Sequence, residues 1–300
     1  MFLTIILLAM LFPGCQNEDF ENIPIEGVTP QYAGLRVLWL GTSIPQGCSY
    51  PFFSCWKLGL SCTNHSRGES VLCFHGRGEK SLTATLSEID SAYIDCVRTG
   101  SMTWNEFVWL KNCSYERLVM PYLQDIDVVV IDHGYNDEEG IKRMLGDTDP
   151  QSIDRTNFLG AFNYLCGKIK ASNPRVKIIA GGYFQNSCTV SYSARGMLVA
   201  EALETISRLH HVPLLRVWNE INLPDGYVPD SENYLDSLNA KYGTSYEKWH
   251  PNRLGEITYY QQFCPDAVHP FSDPTGHSER MLNIGVTKQL YMALSEAYSE

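Results

Sequence analysis

Residues 127–132, with the sequence DVVVID, are the stretch that decides the fold. Four consecutive β-branched residues leave no polar face, so this pattern predicts a strand that is buried on both sides. Such strands are typical of parallel sheets, which carry helices on both faces. The loop HGYND follows at residues 133–137. Ligand-binding and catalytic sites in such sheets lie beyond the carboxyl ends of the strands, so this loop is a candidate part of such a site.

Strand and helix signals alternate along the rest of the chain. Further strands are predicted at residues 36–40, 60–64, 177–180 and 213–217. Helices are predicted near 49–59, over about 150–171, around 198–209 and after the Asp273-Pro274 pair. A further helix is predicted to begin between about 81 and 88. Alternating β and α units predict an α/β protein with a mainly parallel sheet and helices on both faces.

A serine follows the first predicted strand. Gly41 ends that strand, and Ser43 comes in the turn before the next helix. A serine hydroxyl is a weak nucleophile until a base, usually a histidine steered by a carboxylate, takes its proton. Ser43 is therefore either a candidate nucleophile or an ordinary loop or capping serine.

The base and the carboxylate are found near the end of the chain. Asp266 and His269 lie between two prolines, Pro265 and Pro270, which favours a loop over a helix interior. At this spacing the carboxylate can reach the imidazole Nδ1–H, fix the tautomer and stabilise the imidazolium. The alternative is a capping pair ahead of the last helix.

Asn136, in the loop after residues 127–132, offers an amide donor. A side-chain amide in that position can donate to an oxyanion formed during acyl transfer. Asparagine followed by aspartate after a strand is also ordinary turn chemistry, and this alternative stays open.

In their order along the chain, these segments resemble the sequence blocks of the SGNH, or GDSL-type, hydrolase family. The resembling blocks are LGTSI at residues 40–44, GYND at 134–137 and DAVHP at 266–270. A further block, a glycine after the second strand, matches best at residues 64–70, where the glycine is Gly68. The resemblance spans residues 36 to 298. The family usually has aspartate where this chain has Thr42, which is one departure.

The resemblance implies a three-layer α/β/α sandwich with a flavodoxin-like sheet. It implies a catalytic triad of Ser43, His269 and Asp266. It also implies an oxyanion hole formed by the backbone N–H groups of Ser43 and Gly68 together with the Asn136 amide.

Gly76 and Gly78 follow closely in the sequence and compete with Gly68 for the second block. The activity that the resemblance implies is hydrolysis of small acyl esters, such as acetyl groups on carbohydrate, without a cofactor. The alternatives are an acyltransferase with the same nucleophile and a non-catalytic glycan-binding surface lipoprotein.

The amino-terminal residues predict export. Residues 2–12 are almost wholly apolar but too short to span a bilayer, which is typical of a signal peptide, here residues 1–14. The following LFPGC resembles a bacterial lipoprotein cleavage box with Cys15 as the lipidated residue, although no Lys or Arg precedes the apolar run. Residues 15–35 then form a tether, and the hydrolase domain covers 36–300. We expect an extracytoplasmic protein whose membrane contact is a lipid anchor at Cys15; a plain cleaved secretion signal is the alternative.

The net charge and the cysteine and histidine spacings limit the kinds of partner that we expect. The net charge of −11 disfavours nucleic acid, and a small-molecule or glycan ester is the expected substrate. The sequence has no Cys-x-x-Cys motif and no histidines at the spacing of zinc ligands, so it predicts no metal site. Cys48, Cys55 and Cys62 recur every seven residues, which predicts one face of a helix.

One connection is unusually long. Residues 219–263 form an aromatic-rich insertion that includes Tyr246 and Trp249. Such rings suit stacking on a sugar, so the insertion is a candidate wall of the substrate cleft. Alternatively, it packs over a sheet edge.

Overall fold

A five-stranded parallel sheet forms the centre of the structure. The structure is a computed structural model that describes residues 32–76, 78–146, 149–182, 190–216 and 277–299. The strands in these ranges are β1 (Arg36–Gly41), β2 (Ser61–Asn64), β3 (Val128–Asp132), β4 (Lys177–Gly181) and β5 (Leu214–Leu215). Their spatial order is β2-β1-β3-β4-β5, and every neighbouring pair is parallel. This is the flavodoxin-like order, so the predicted sheet is confirmed.

Helices connect and cover the strands. In the described ranges they are α1 (Ser43–Gly47), α2 (Tyr50–Lys57), α3 (Leu86–Arg98), α4 (Trp104–Cys113), α5 (Tyr115–Leu118), α6 (Glu138–Gly146), α7 (Phe158–Ser172), α8 (Val190–His210) and α9 (His277–Ala297). Of the helices that the structure describes, none combines the length and apolar character needed to cross a membrane.

Alternate residues of β1 belong to two separate apolar clusters, because successive side chains of a strand point to opposite faces of the sheet. Leu38 and Leu40 pack in a cluster with residues of α6, α7 and α8. Val37 and Trp39 pack in the other, with residues of α1, α2 and α9. The protein therefore has three layers, α/β/α, as expected.

The C-terminal helix α9 is fastened to the start of α2. The Ser49 backbone N–H donates to Glu279 Oε1 at 2.6 Å, and the Ser49 hydroxyl lies 3.1 Å from Asn283 Oδ1. One turn further along, the Thr287 hydroxyl lies 3.2 Å from Ser54 Oγ. These contacts hold the last helix against the segment that follows α1.

Helix α7 begins later than the predicted residue 150. Asn157 is its N-cap, and its side-chain oxygen accepts from the N–H groups of Leu159 and Gly160. This cap satisfies N–H groups that have no partner inside the helix, so the helix starts at Phe158.

The prediction that Cys48, Cys55 and Cys62 share a helix face is wrong. Cys55 lies in α2, Cys48 lies before that helix, and Cys62 lies in β2. The helix ends because Gly59 has φ +71°, a left-handed conformation that turns the chain into β2. All three carry a thiol group and not a disulfide.

Gly41 makes the tight passage from β1 into α1 possible. A methyl group added to Gly41 would lie 2.4 Å from Pro45 Cγ and 2.8 Å from the carbonyl oxygen of Asp132. These distances are shorter than van der Waals contact, and one partner is backbone. Only glycine lets the chain pass this close to β3 two residues before Ser43.

We expect Gly41→Ala to lower the free energy of unfolding by about 1–3 kcal/mol, since the added methyl overpacks the turn. The matched control is Gly167→Ala, inside α7, where an added methyl has no neighbour within 4 Å. That change should be neutral or stabilise by up to about 1 kcal/mol. Urea denaturation measures both; equal stabilities of the two variants would contradict the packing at Gly41.

Candidate active site

Ser43 is the first residue of α1, directly beyond the carboxyl end of β1. The sequence predicted a turn at this point and a helix only from about residue 49; the structure has a short additional helix. Thr42 precedes it as the N-cap, is buried, and makes no side-chain cap. The first N–H groups of a helix have no acceptor within it, so the Ser43 N–H is directed away from the helix's own hydrogen bonds.

The loop after β2 folds back onto the end of β1. The Gly41 carbonyl accepts the Arg67 N–H at 2.8 Å. The Ser70 hydroxyl lies 2.9 Å from the same carbonyl oxygen and 2.7 Å from that of Arg67. Asn64 adds a further tie, because its amide donates to the Pro45 carbonyl of α1 at 2.6 Å. Residues 65–70 are thereby held against the turn that carries Ser43.

Gly68 lies beside Ser43 as a result of these bonds. A methyl group added to Gly68 would lie 3.8 Å from Ser43 Cβ. The Gly68 N–H donates to Oε1 of Gln46 at 2.6 Å. The competing Gly78 instead directs its N–H to the hydroxyl of Tyr93 on α3.

The residue after Gly68 has an unusual backbone conformation. Glu69 has φ +60°, in the left-handed region that residues other than glycine rarely adopt. Such conformations persist where the surrounding structure holds them, and they cluster at functional loops. Here the hydrogen bonds of Arg67 and Ser70 to Gly41 bracket the strained residue.

Asn136 is tied to the same loop. Its Nδ2 donates to the Ser70 carbonyl at 3.0 Å. An amide nitrogen carries two hydrogens, so this bond uses one of them and fixes the direction of the other. The loops after β1, β2 and β3 are therefore joined through Gly41, Ser70 and Asn136.

Asp137 joins the loops a second time. Its Oδ1 accepts the backbone N–H groups of Leu72 at 2.8 Å and Cys73 at 2.9 Å. Its Oδ2 is buried without a hydrogen-bond partner. Burial of the carboxyl group is the main cause that raises its pKa to about 6, against the lowering effect of hydrogen bonds from Cys73, Leu72 and Gly134. Asp137 thus braces the Asn136 loop.

Asp132, at the end of β3, links the elements that support the candidate site. Its Oδ2 accepts the Trp39 indole N–H at 3.0 Å and the Tyr50 hydroxyl at 2.6 Å. Burial, with the Asp132 charge second, raises the pKa of Tyr50 well above its usual value, so the phenol stays a donor. Asp132 connects β3, β1 and α2 around the turn that carries Ser43.

His133 lies in the interior next to Asp132. The ring is buried, and its Nδ1 has no hydrogen-bond partner. Burial lowers its pKa to about 3, so the imidazole is neutral at physiological pH. No catalytic role follows from these contacts.

Two cavities open on either side of Asn136. One, of about 340 Å³, is lined by Glu69 and Glu138 among others, and the second, of about 320 Å³, by His75 and Glu79. Val71, Asn136 and Glu139 line both.

Several predicted site residues lie outside the described residues. These are Asp266 and His269 of the triad, the lipidation residue Cys15 and the insertion at 219–263. Their roles stay predictions. Ser43, Gly68 and Asn136 are described, and the bonds above bring their loops to one edge of the sheet.

Gln46 and Ser70 were missed by the sequence analysis. Gln46 follows Ser43 by one helical turn, but the short helix α1 was not predicted. Ser70 is the last residue of the glycine block at 64–70, but no pattern in the sequence assigned it a role. Both act through contacts between separate loops.

No protein-family model matches the chain, and no curated protein sequence matches it. Solved structures do match. A protein from Lactobacillus plantarum aligns over 89% of this chain and 99% of its own, with 15% identity and a TM-score of 0.44. A candidate SGNH hydrolase from Slackia heliotrinireducens aligns over 86% and 99%, with 12% identity and a TM-score of 0.40.

A catalytic mutant of an acetylxylan esterase from Geobacillus stearothermophilus is also similar. It aligns over 86% of this chain and 94% of its own, with 12% identity and a TM-score of 0.42. The family named from the sequence blocks is thus represented among the similar structures. Similarity at this distance does not assign an activity, so the function is argued from the chain's own residues.

The ionisation of Asp137 gives a stability test. A carboxyl group with a pKa of about 6 when folded and 3.8 when unfolded binds its proton more tightly in the folded protein. Its stabilising contribution is complete below pH 3.8 and is lost as the pH rises through 6, by about 3 kcal/mol. We expect Asp137→Asn, which keeps an acceptor for Leu72 and Cys73, to lack this loss.

Urea denaturation of both proteins at pH 5 and pH 8 measures the part of this loss that falls between these two pH values, about 1.4 kcal/mol. The difference between wild type and variant cancels the titration of His133, whose lowered pKa acts in the opposite direction. Parallel pH profiles of the two proteins would contradict a raised pKa at Asp137. Asp137→Ala is the control for the bonds, since it leaves two backbone N–H groups unpaired at about 1–3 kcal/mol each.

Proposed function

We propose that this protein is a serine esterase that hydrolyses small acyl esters, plausibly acetyl esters of carbohydrate, through an acyl-enzyme. The observation that supports it most is the adjacency of Ser43 and Gly68. A nucleophile candidate beside a backbone N–H, with an amide donor tethered to the same loop, is the arrangement that acyl transfer requires.

In the proposed first step, the Ser43 oxygen attacks the ester carbonyl carbon while His269 takes the hydroxyl proton. Asp266 orients the imidazole and stabilises its cationic form. The carbonyl π electrons move to oxygen, and the resulting oxyanion accepts from the N–H groups of Ser43 and Gly68 and from the Asn136 amide. Collapse of this intermediate expels the alcohol, which receives the proton from His269.

In the second step, water attacks the acyl-enzyme and gives its proton to His269. The second tetrahedral intermediate releases the carboxylic acid and restores the Ser43 hydroxyl. In an acyltransferase, a sugar hydroxyl would take the place of this water. Measuring transfer to an added sugar against free acid separates the two enzymes.

The extracytoplasmic location and the Cys15 anchor belong to the same proposal. Their support is the apolar run at residues 2–12 and the LFPGC box. Mass spectrometry of the mature amino terminus decides between a lipid-modified Cys15 and a plain cleaved signal.

Ser43→Ala should reduce hydrolysis of 4-nitrophenyl acetate by on the order of 10⁴-fold or more, because the acyl-enzyme cannot form. The control is Ser87→Ala, an exposed serine on α3, which should not change the rate. The wild-type rate should fall below about pH 6.5 as a histidine base is protonated. Equal rates for Ser43→Ala and wild type would remove the nucleophile from this account, and a flat acid limb would remove His269.

Asn136→Ala should lower kcat by about 10²–10³-fold with a small change in KM, since an oxyanion donor acts mainly in the transition state. Asn163→Ala is the matched control. The Asn163 amide also donates to backbone carbonyls, those of Pro150 and Ser152, but it lies on α7. Comparable kcat values for the two variants would exclude Asn136 as a donor.

A further inference from the structure

The Gly68 N–H already has an acceptor in the protein. Gln46 Oε1 accepts it at 2.6 Å, a short bond for an N–H donor and a neutral oxygen. A methyl group on Gly68 would lie 3.1 Å from the same oxygen and 3.8 Å from Ser43 Cβ. The Gln46 carboxamide thus holds the N–H of the residue that lies beside Ser43.

The chemistry of this oxygen matches that of a substrate. A carboxamide oxygen is a planar, partly negative acceptor, as is the carbonyl oxygen of an ester. Under the proposed function, the Gly68 N–H must bind the developing oxyanion. One N–H cannot make a full hydrogen bond to both oxygens, so the two compete for the same donor.

Gln46 is also able to leave. It is exposed, and it lies three residues after Ser43 on the short helix α1. Its displaced carboxamide would regain hydrogen bonds with water, so the exchange costs little. The loop itself has other supports, namely the bonds of Arg67 and Ser70 to the Gly41 carbonyl.

The geometry points to Gln46 as an internal occupant of the oxyanion site, whose side-chain oxygen holds the Gly68 N–H at rest and is displaced by the acyl carbonyl of the substrate. This inference rests on the proposed function. It makes Gln46 a residue that sets how readily small acyl groups enter the site. It also explains how the donor stays paired and oriented between turnovers.

The experiment uses a fluorophosphonate probe on the full chain. Ser43 Oγ bonds to phosphorus as fluoride leaves, and the phosphoryl oxygen takes the oxyanion position. The measured quantity is the second-order rate of labelling, which needs no knowledge of the natural substrate. The variants are Gln46→Met, which keeps the length but lacks the oxygen, and Gln46→Glu, which supplies a charged oxygen.

We expect Gln46→Met to label about three- to tenfold faster than wild type, since one competing hydrogen bond is removed. Gln46→Glu should label more slowly by a similar factor or more, since a carboxylate holds the N–H more strongly. Gln124→Met makes the same chemical change at an exposed residue just before β3, at the opposite end of the sheet, and should leave the rate unchanged.

A loop-supporting role for Gln46 gives the reverse order, with Gln46→Met slower and Gln46→Glu close to wild type. That result, or equal rates for all variants, overturns the inference while labelling still depends on Ser43. Absence of labelling in the wild type, or labelling that persists in Ser43→Ala, overturns the proposed function instead.

Discussion

The carbonyl of Gly41 is the acceptor on which the geometry of the candidate site depends. It receives the Arg67 N–H at 2.8 Å and lies 2.9 Å from the Ser70 hydroxyl, and the Ser70 carbonyl in turn accepts from Asn136. Since β1 lies between β2 and β3, one peptide group at its end can hold the loops of both neighbours. The close approach of Gly41 to Asp132 leaves no room for a side chain. Packing and hydrogen bonding thus act at the same residue, two positions before the candidate nucleophile.

Two buried aspartates support this arrangement in different ways. One oxygen of Asp132 accepts from two side chains, Trp39 and Tyr50, and so links three elements of the fold. Asp137 receives two backbone N–H groups on one oxygen, while its other oxygen has no partner. Ionised Asp137 therefore costs stability near neutral pH but holds the Asn136 loop in place. Loops at functional sites often retain such a cost in folding stability, because a more relaxed packing would change their geometry.

The central strands and the positions of Ser43 and Asn136 at their ends could be predicted from the sequence, because apolar runs of strand length alternate with helical patterns. Gly68 was favoured over Gly78 only by its match to the family block. Its position beside Ser43 could not be predicted, because it depends on the hydrogen bond between Arg67 and Gly41, which are 26 positions apart. Helix α4 was missed although Thr103 and Glu106 form a capping box at its start, a signal that sequence reading can use. No local sequence pattern predicts the left-handed backbone of Glu69 or the contact of Gln46 with Gly68, because both arise only when separate segments of the chain meet.

The fastening of α9 to the start of α2 has a consequence for biosynthesis. Ser49 and its partner Glu279 are 230 positions apart, so a ribosome must add that length of polypeptide before the bond can form. Until then, Val37 and Trp39 face a layer that lacks its C-terminal cover. The turn that carries Ser43 is therefore translated well before the helix that completes its support. Until α9 is made, the nascent protein carries an incomplete apolar surface that a chaperone could bind.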